Sequence, residues 1–145
     1  MSIIPTLFSI VIFLIISKIA PAETIIIEFT EDDSYSIEVA LIDVGDTIVW
    51  LPKNEGHNVE FIAGPKMNSL PTKSKIDEVH SVVFKVSGVY LYSCTPHGNM
   101  GMLGLVIVDN DFHNLEKLKN IHLSHVANSV LKRLFRTAQS YSKSP

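Results

Sequence analysis

The apolar residues of this chain change their period once, near Asp109, and that change limits the architectures open to it. Before it, short segments rich in β-branched and aromatic residues recur: TIIIEF (24–29), YSIEVAL (35–41), GDTIVWLP (45–52), HSVVFKV (80–86), GVYLYSC (88–94) and LGLVIVD (103–109). Such runs, bounded by turn residues, read as strands. The turns return every 8 to 15 residues, the spacing of a sandwich or barrel. Ser87-Gly88 is a tight-turn signal between two of the strands. After Asp109, apolar residues stand at 115, 118, 121, 123, 126, 130, 131, 134 and 135, at helical spacing. Asn114 suits a helix cap, and Asn120 or Asn128 a break. The expected fold is mainly β, a sandwich with one or two C-terminal helices over about 112–139 packed on it.

The chain has 145 residues, the size of one domain. It opens with an uncharged apolar run, Ile3 to Ile16, followed by Lys18 and Ala20-Pro21-Ala22. The run is short for a membrane span, which needs about 20 residues. Small residues at positions 20 and 22 suit signal peptidase. Residues 1–22 therefore read as a secretory signal peptide, with 23–145 as an exported domain that has no membrane contact after cleavage. Loss of Lys18 takes the formal charge from −3 to −4. With no basic surplus, binding to nucleic acid through phosphate contacts is excluded.

Cys94 is the only cysteine, so it has no internal disulfide partner. It sits in YLYSCTPHGNMGMLGLVIV (90–108), where His97, Met100 and Met102 follow within eight residues. His57, in NEGHNVEFI, is a further candidate if the strand ending at Pro52 neighbours the last two. Singly, each residue has an ordinary structural reading: a buried small thiol, core methionines, a loop histidine. A nucleophilic cysteine with His97 as base would need an orienting acid that the local sequence lacks. Together they suit copper. Thiolate and thioether favour copper(I), imidazole serves both oxidation states, and a weak Met above a His2Cys plane closes the site. Zinc more often takes a fourth strong ligand. A copper-delivery protein would instead offer an open, exchangeable site.

Cysteine, histidine three later and methionine eight later, with GHNVE upstream, resemble the cupredoxins, most closely pseudoazurins. KSKIDEVHSVVF (73–84) and NLEKLKN (114–120) extend the likeness over nearly the whole exported part. The resemblance implies a Greek-key sandwich and one type 1 copper on His57, Cys94, His97 and Met102, with Met100 on the rim near His97. It implies an electron carrier rather than an enzyme, with no catalytic residues. It also implies a periplasmic location and redox partners such as copper nitrite reductase or cytochromes. Such a carrier is self-contained, so a monomer is expected. Asn58 would tie the two ligand loops, its backbone N–H donating to the Cys94 sulfur. Pro96, lacking an N–H, cannot donate to it. Pseudoazurins commonly ring the exposed histidine with lysines. Here Glu55, Ser93 and the acidic TEDDSY (30–35) depart from that pattern, while Lys53, Lys66, Lys73 and Lys75 remain.

Overall fold

The computed structural model describes residues 20–142. The expected leader, 1–22, falls outside that range except for Ala20–Ala22, which are exposed and without regular structure. Seven strands follow: β1 (Thr24–Glu28), β2 (Val39–Ile42), β3 (Thr47–Leu51), β4 (Glu60–Ala63), β5 (His80–Val83), β6 (Gly88–Ser93) and β7 (Leu103–Val108). Two helices close the chain, α1 (Leu115–Lys119) and α2 (His125–Ser142). The strands form two sheets, ordered β1-β3-β5 and β2-β7-β6-β4. β1 runs parallel to β3 and β2 parallel to β7, while β6 pairs antiparallel with both β7 and β4.

All six residues of β6 and all six of β7 are buried. Alternation sends successive side chains to opposite faces of a sheet, so a strand buried throughout must be covered twice. On the inner face, Tyr90, Tyr92, Val106 and Val108 join Trp50, Phe61 and Phe84 between the sheets. On the outer face, Val89, Leu91, Leu103, Leu105 and Ile107 meet the helices. Helix α2 supplies Ala127, Leu131, Leu134, Phe135 and Ala138, one stripe at helical spacing. Gly104 lies opposite Tyr92 in the β6–β7 register, and a side chain there would run into the tyrosine ring.

Several sequence expectations need correction. Strand β4 was not among the expected strands; it is only four residues long and has one side half-open. Of YSIEVAL only Val39–Leu41 joins a strand, because Tyr35 makes an isolated bridge back to Phe29. Ser87-Gly88 lies between β5 and β6 as expected, but β5 pairs with β3 and β6 with β7 and β4, so the chain passes there from one sheet to the other. Of the two expected break positions Asn120 is the one used: the break falls between Asn120 and Ser124, leaving Asn128 inside α2, and α2 runs on to Ser142. Asn114 holds the N-cap position of α1 as expected, but its side chain makes no capping bond. Its buried amide bonds Val89 instead, accepting the N–H at 2.8 Å and donating to the carbonyl at 2.8 Å. The cap of α2 is Ser124, whose Oγ accepts the Ala127 N–H at 3.1 Å.

Candidate metal centre

The centre lies where two loops meet at one end of the sandwich. His57 and Asn58 lead into β4, and Cys94 follows β6. The β4–β6 register sets Glu60 against Ser93, which brings His57 beside Cys94. The neighbour of the last two strands is therefore β4, after His57; the strand ending at Leu51 belongs to the other sheet.

The ligand loop is held by its own backbone. Cys94 N–H donates to the Met102 carbonyl at 3.1 Å, Met102 N–H to His97 at 3.2 Å, and Gly98 N–H to Cys94 at 2.7 Å. A single 3-10 turn, Gly98–Met100, ends at Gly101 with φ of 100°, the left-handed region that favours glycine. This turn separates the two methionines. Met100 is 59% exposed, whereas Met102 is 1% exposed and packs in the inner core with Cys94.

Three donor atoms converge. Cys94 Sγ is 3.7 Å from His57 Nδ1 and 3.6 Å from His97 Nδ1, and the two nitrogens are 3.0 Å apart. A point equidistant from all three lies about 2 Å from each, close to the roughly 2.0 to 2.3 Å at which histidine nitrogen and cysteine sulfur hold a metal such as zinc. Among the described residues, this is the one group of histidine, cysteine and acidic side chains placed to share a metal ion. The residues present thus fit a His2Cys site.

The surroundings hold these donors still and dry. His57 is 3% exposed and His97 22%, so one imidazole is enclosed and the other reaches the surface. Asn58 joins the two loops as the sequence suggests: its Oδ1 accepts the Thr95 N–H at 2.7 Å, and its Nδ2 donates to Thr95 Oγ1 at 3.0 Å and the Ser74 carbonyl at 3.3 Å. Burial pushes the Cys94 thiol up, the backbone N–H groups of Asn58 and His97 pull it down, and Asp33 and Asp77 push it up again. The His97 N–H is a donor the sequence reading missed; Pro96 removes one N–H and the next residue supplies another. Burial also lowers the His57 pKa, as does neighbouring His97, while Asp33 and Asp77 oppose that shift. Asp77 was not anticipated. Its Oδ1 accepts the N–H groups of Gly56 at 2.6 Å and His57 at 3.2 Å, fixing the loop that carries the first histidine. A lone aspartate in a loop carries no sequence signal of such a role.

Residues 27–109 match the family model for copper binding proteins, plastocyanin/azurin family. The chain belongs to that family. Within it the resemblance is to pseudoazurins. The Methylorubrum extorquens pseudoazurin is 36% identical over 96 residues, 66% of this chain and 65% of that protein. A Sinorhizobium pseudoazurin structure superposes with a TM-score of 0.75 at 29% identity, covering 81% of this chain and 98% of that one. An amicyanin structure reaches 0.51 at 28% identity, covering 59% of this chain and 82% of that one. The chain spans 52 to 65% of the length of the curated pseudoazurins it matches. Its fold is that of a cupredoxin β-sandwich, and its cofactor is one type 1 copper ion.

Proposed function

We propose that this chain carries single electrons between redox proteins, with His57, Cys94 and His97 as strong copper ligands and Met102 as the weak fourth. The observation that carries the reading is the triangle of donor atoms, closed on one side by the inner core. Copper bound there supplies a one-electron couple in which thiolate and thioether favour copper(I) and imidazole accepts both states. The chain's own residues do the rest. The Asn58 bridge and the Cys94–Met102 backbone bond keep the donors in one arrangement through both oxidation states. Burial of His57, Cys94 and Met102 excludes water and leaves no open position for a substrate. His97, half-buried beside exposed Pro96 and Met100, offers the route to a partner.

Titrating the metal-free protein with copper(II) tests the site. An intense visible absorption should appear at one equivalent and be lost in Cys94→Ala. Met102→Gln should keep a coloured site at lower potential, because an amide oxygen is harder than a thioether and favours copper(II). A potential that moves with Met100→Gln and not with Met102→Gln would reverse the axial assignment.

Residues 1–22 act as a signal peptide in this reading, and the carrier works as a monomer in the periplasm. N-terminal sequencing of periplasmic protein should begin at Glu23. Among the described residues no helix is long and apolar enough to cross a membrane. The acceptor is a reductase such as a copper nitrite reductase, with a cytochrome as the other partner class. Docking rests mainly on the apolar surface around His97, since Lys53, Lys73 and Lys75 each pair with an acid, Glu28, Glu60 and Glu78. Electron-transfer rates with the reductase should therefore fall only shallowly as salt rises; a steep fall would show that a basic face governs recognition.

A further inference from the structure

Asp33 stands beside both histidines of the centre. Its Oδ1 lies 3.6 Å from His57 Nε2 and 3.9 Å from His97 Nδ1. These distances exceed a hydrogen bond, so the carboxylate acts on the centre through its field rather than by orienting a ring.

The turn that carries Asp33 is fixed at both ends. Thr30 N–H donates to the Ser34 carbonyl at 2.9 Å, and the two hydroxyls meet at 2.6 Å. Phe29 and Tyr35 flank the turn, bridge to each other and are both buried. The Phe29 ring meets the His57 ring edge to face at 5.8 Å. The Tyr35 hydroxyl donates to the Asn58 carbonyl at 2.8 Å. The loop is thus anchored on the same two residues that carry and brace the first ligand. Asp33 itself has φ of 51°, a left-handed conformation that aspartate and asparagine adopt more readily than other side chains.

Its charge is not compensated locally. Among the described residues no lysine or arginine pairs with Asp33, whose ion-pair partners are the two histidines. Asp33 is half-exposed, so solvent weakens its field, but at this distance screening by salt is incomplete.

We propose that Asp33 sets the reduction potential of this protein, its carboxylate favouring copper(II), the form with one more positive charge. The inference rests on the ligand set proposed above. It also gives the acidic stretch 30–35 a role at the metal rather than only at the surface.

The test is the reduction potential of the full-length copper-loaded protein, measured by equilibrium redox titration at low and at moderate salt. Asp33→Asn keeps the shape and tolerates the same φ while removing the charge. It should shift the copper(II)/copper(I) equilibrium about tenfold toward copper(I), a rise of about 59 mV for a one-electron couple. The rise should shrink at higher salt. Asp33→Glu, which keeps the charge, should recover most of the native value. Asp32→Asn, one residue away and exposed, should move the potential much less. An unchanged potential in Asp33→Asn, or an equal rise in Asp32→Asn, would overturn the proposal while the blue site stands. A native chain that binds copper without the visible absorption would instead overturn the ligand assignment beneath it.

Discussion

The two faces of the β2-β7-β6-β4 sheet are built from the same strands and differ in almost everything else. The inner face is aromatic. Its Phe61, Tyr90 and Tyr92 meet Trp50 of β3 and Phe84, just after β5, mostly edge to face, with ring centroids 5.1 to 6.3 Å apart. This core ends at Cys94 and Met102. The outer face is almost wholly aliphatic and is closed by helices rather than by a second sheet. Residues one position apart serve opposite purposes: Tyr92 packs toward the metal end, and Leu91 packs under the helices. Flat rings in edge-to-face contact resist displacement, which suits a site whose donors should move little between oxidation states. Branched aliphatic side chains adapt to the ridges of a helix. The family match ends at Asp109, so it includes the inner core and leaves out both helices. The pseudoazurin structure covers 81% of the chain where the amicyanin structure covers 59%. The strands from Ile27 on lie within the family match, and the helical cover lies beyond it.

The faces meet at the ligand loop. Ser124 caps α2 through Ala127 and donates its own hydroxyl to the Asn99 carbonyl at 2.6 Å. A side chain at Gly101 would press on Val130 of α2 at 2.7 Å. The helix therefore buttresses the turn between His97 and Met102 from outside.

The heaviest way to break the comparison is to remove one side. A chain ending at Asn110 should not give a folded monomer, because it uncovers Leu91, Leu103, Leu105 and Ile107 together. Each fully buried aliphatic side chain is worth about 1.5–3 kcal/mol, against a total stability of about 5–15 kcal/mol. Size-exclusion chromatography and circular dichroism would show it, and a monomeric truncated protein that still turned blue would make the outer core dispensable. A milder cut is Leu134→Ala, within the fully buried stripe of α2. It should cost about 2–5 kcal/mol in urea unfolding while leaving the visible spectrum unchanged. A spectral change there would mean that the faces are not separable. The smallest effect is expected of Ser124→Ala. Loss of the cap costs about 1 kcal/mol. Because Asn99 is released as well, a small change in the copper spectrum should accompany it, and its absence would show that the buttress does not reach the donors.

Much of the centre was legible because its signal is local. Cys94 and His97 share one loop, so their spacing survives without knowledge of the fold, and the change of period near Asp109 divides β from α by the same logic. What pairs with what was decided elsewhere. His57 reaches Cys94 through β4, a four-residue strand too short to show a pattern of its own. Ser87-Gly88 reads as a tight turn between two strands, yet those strands, β5 and β6, lie in different sheets. Asn114 stands at the N-cap of α1, but its side-chain amide is taken by the N–H and carbonyl of Val89 in β6, beyond the last β4 pair. Asp33 looks like one more acid on a loop until Phe29 and Tyr35 fold it against the histidines. Residue type and spacing determine which chemistry is available, because a ligand's softness belongs to its side chain. Only the tertiary structure decides which charges and N–H groups surround that chemistry, because fields and hydrogen bonds depend on distance in space and not along the chain.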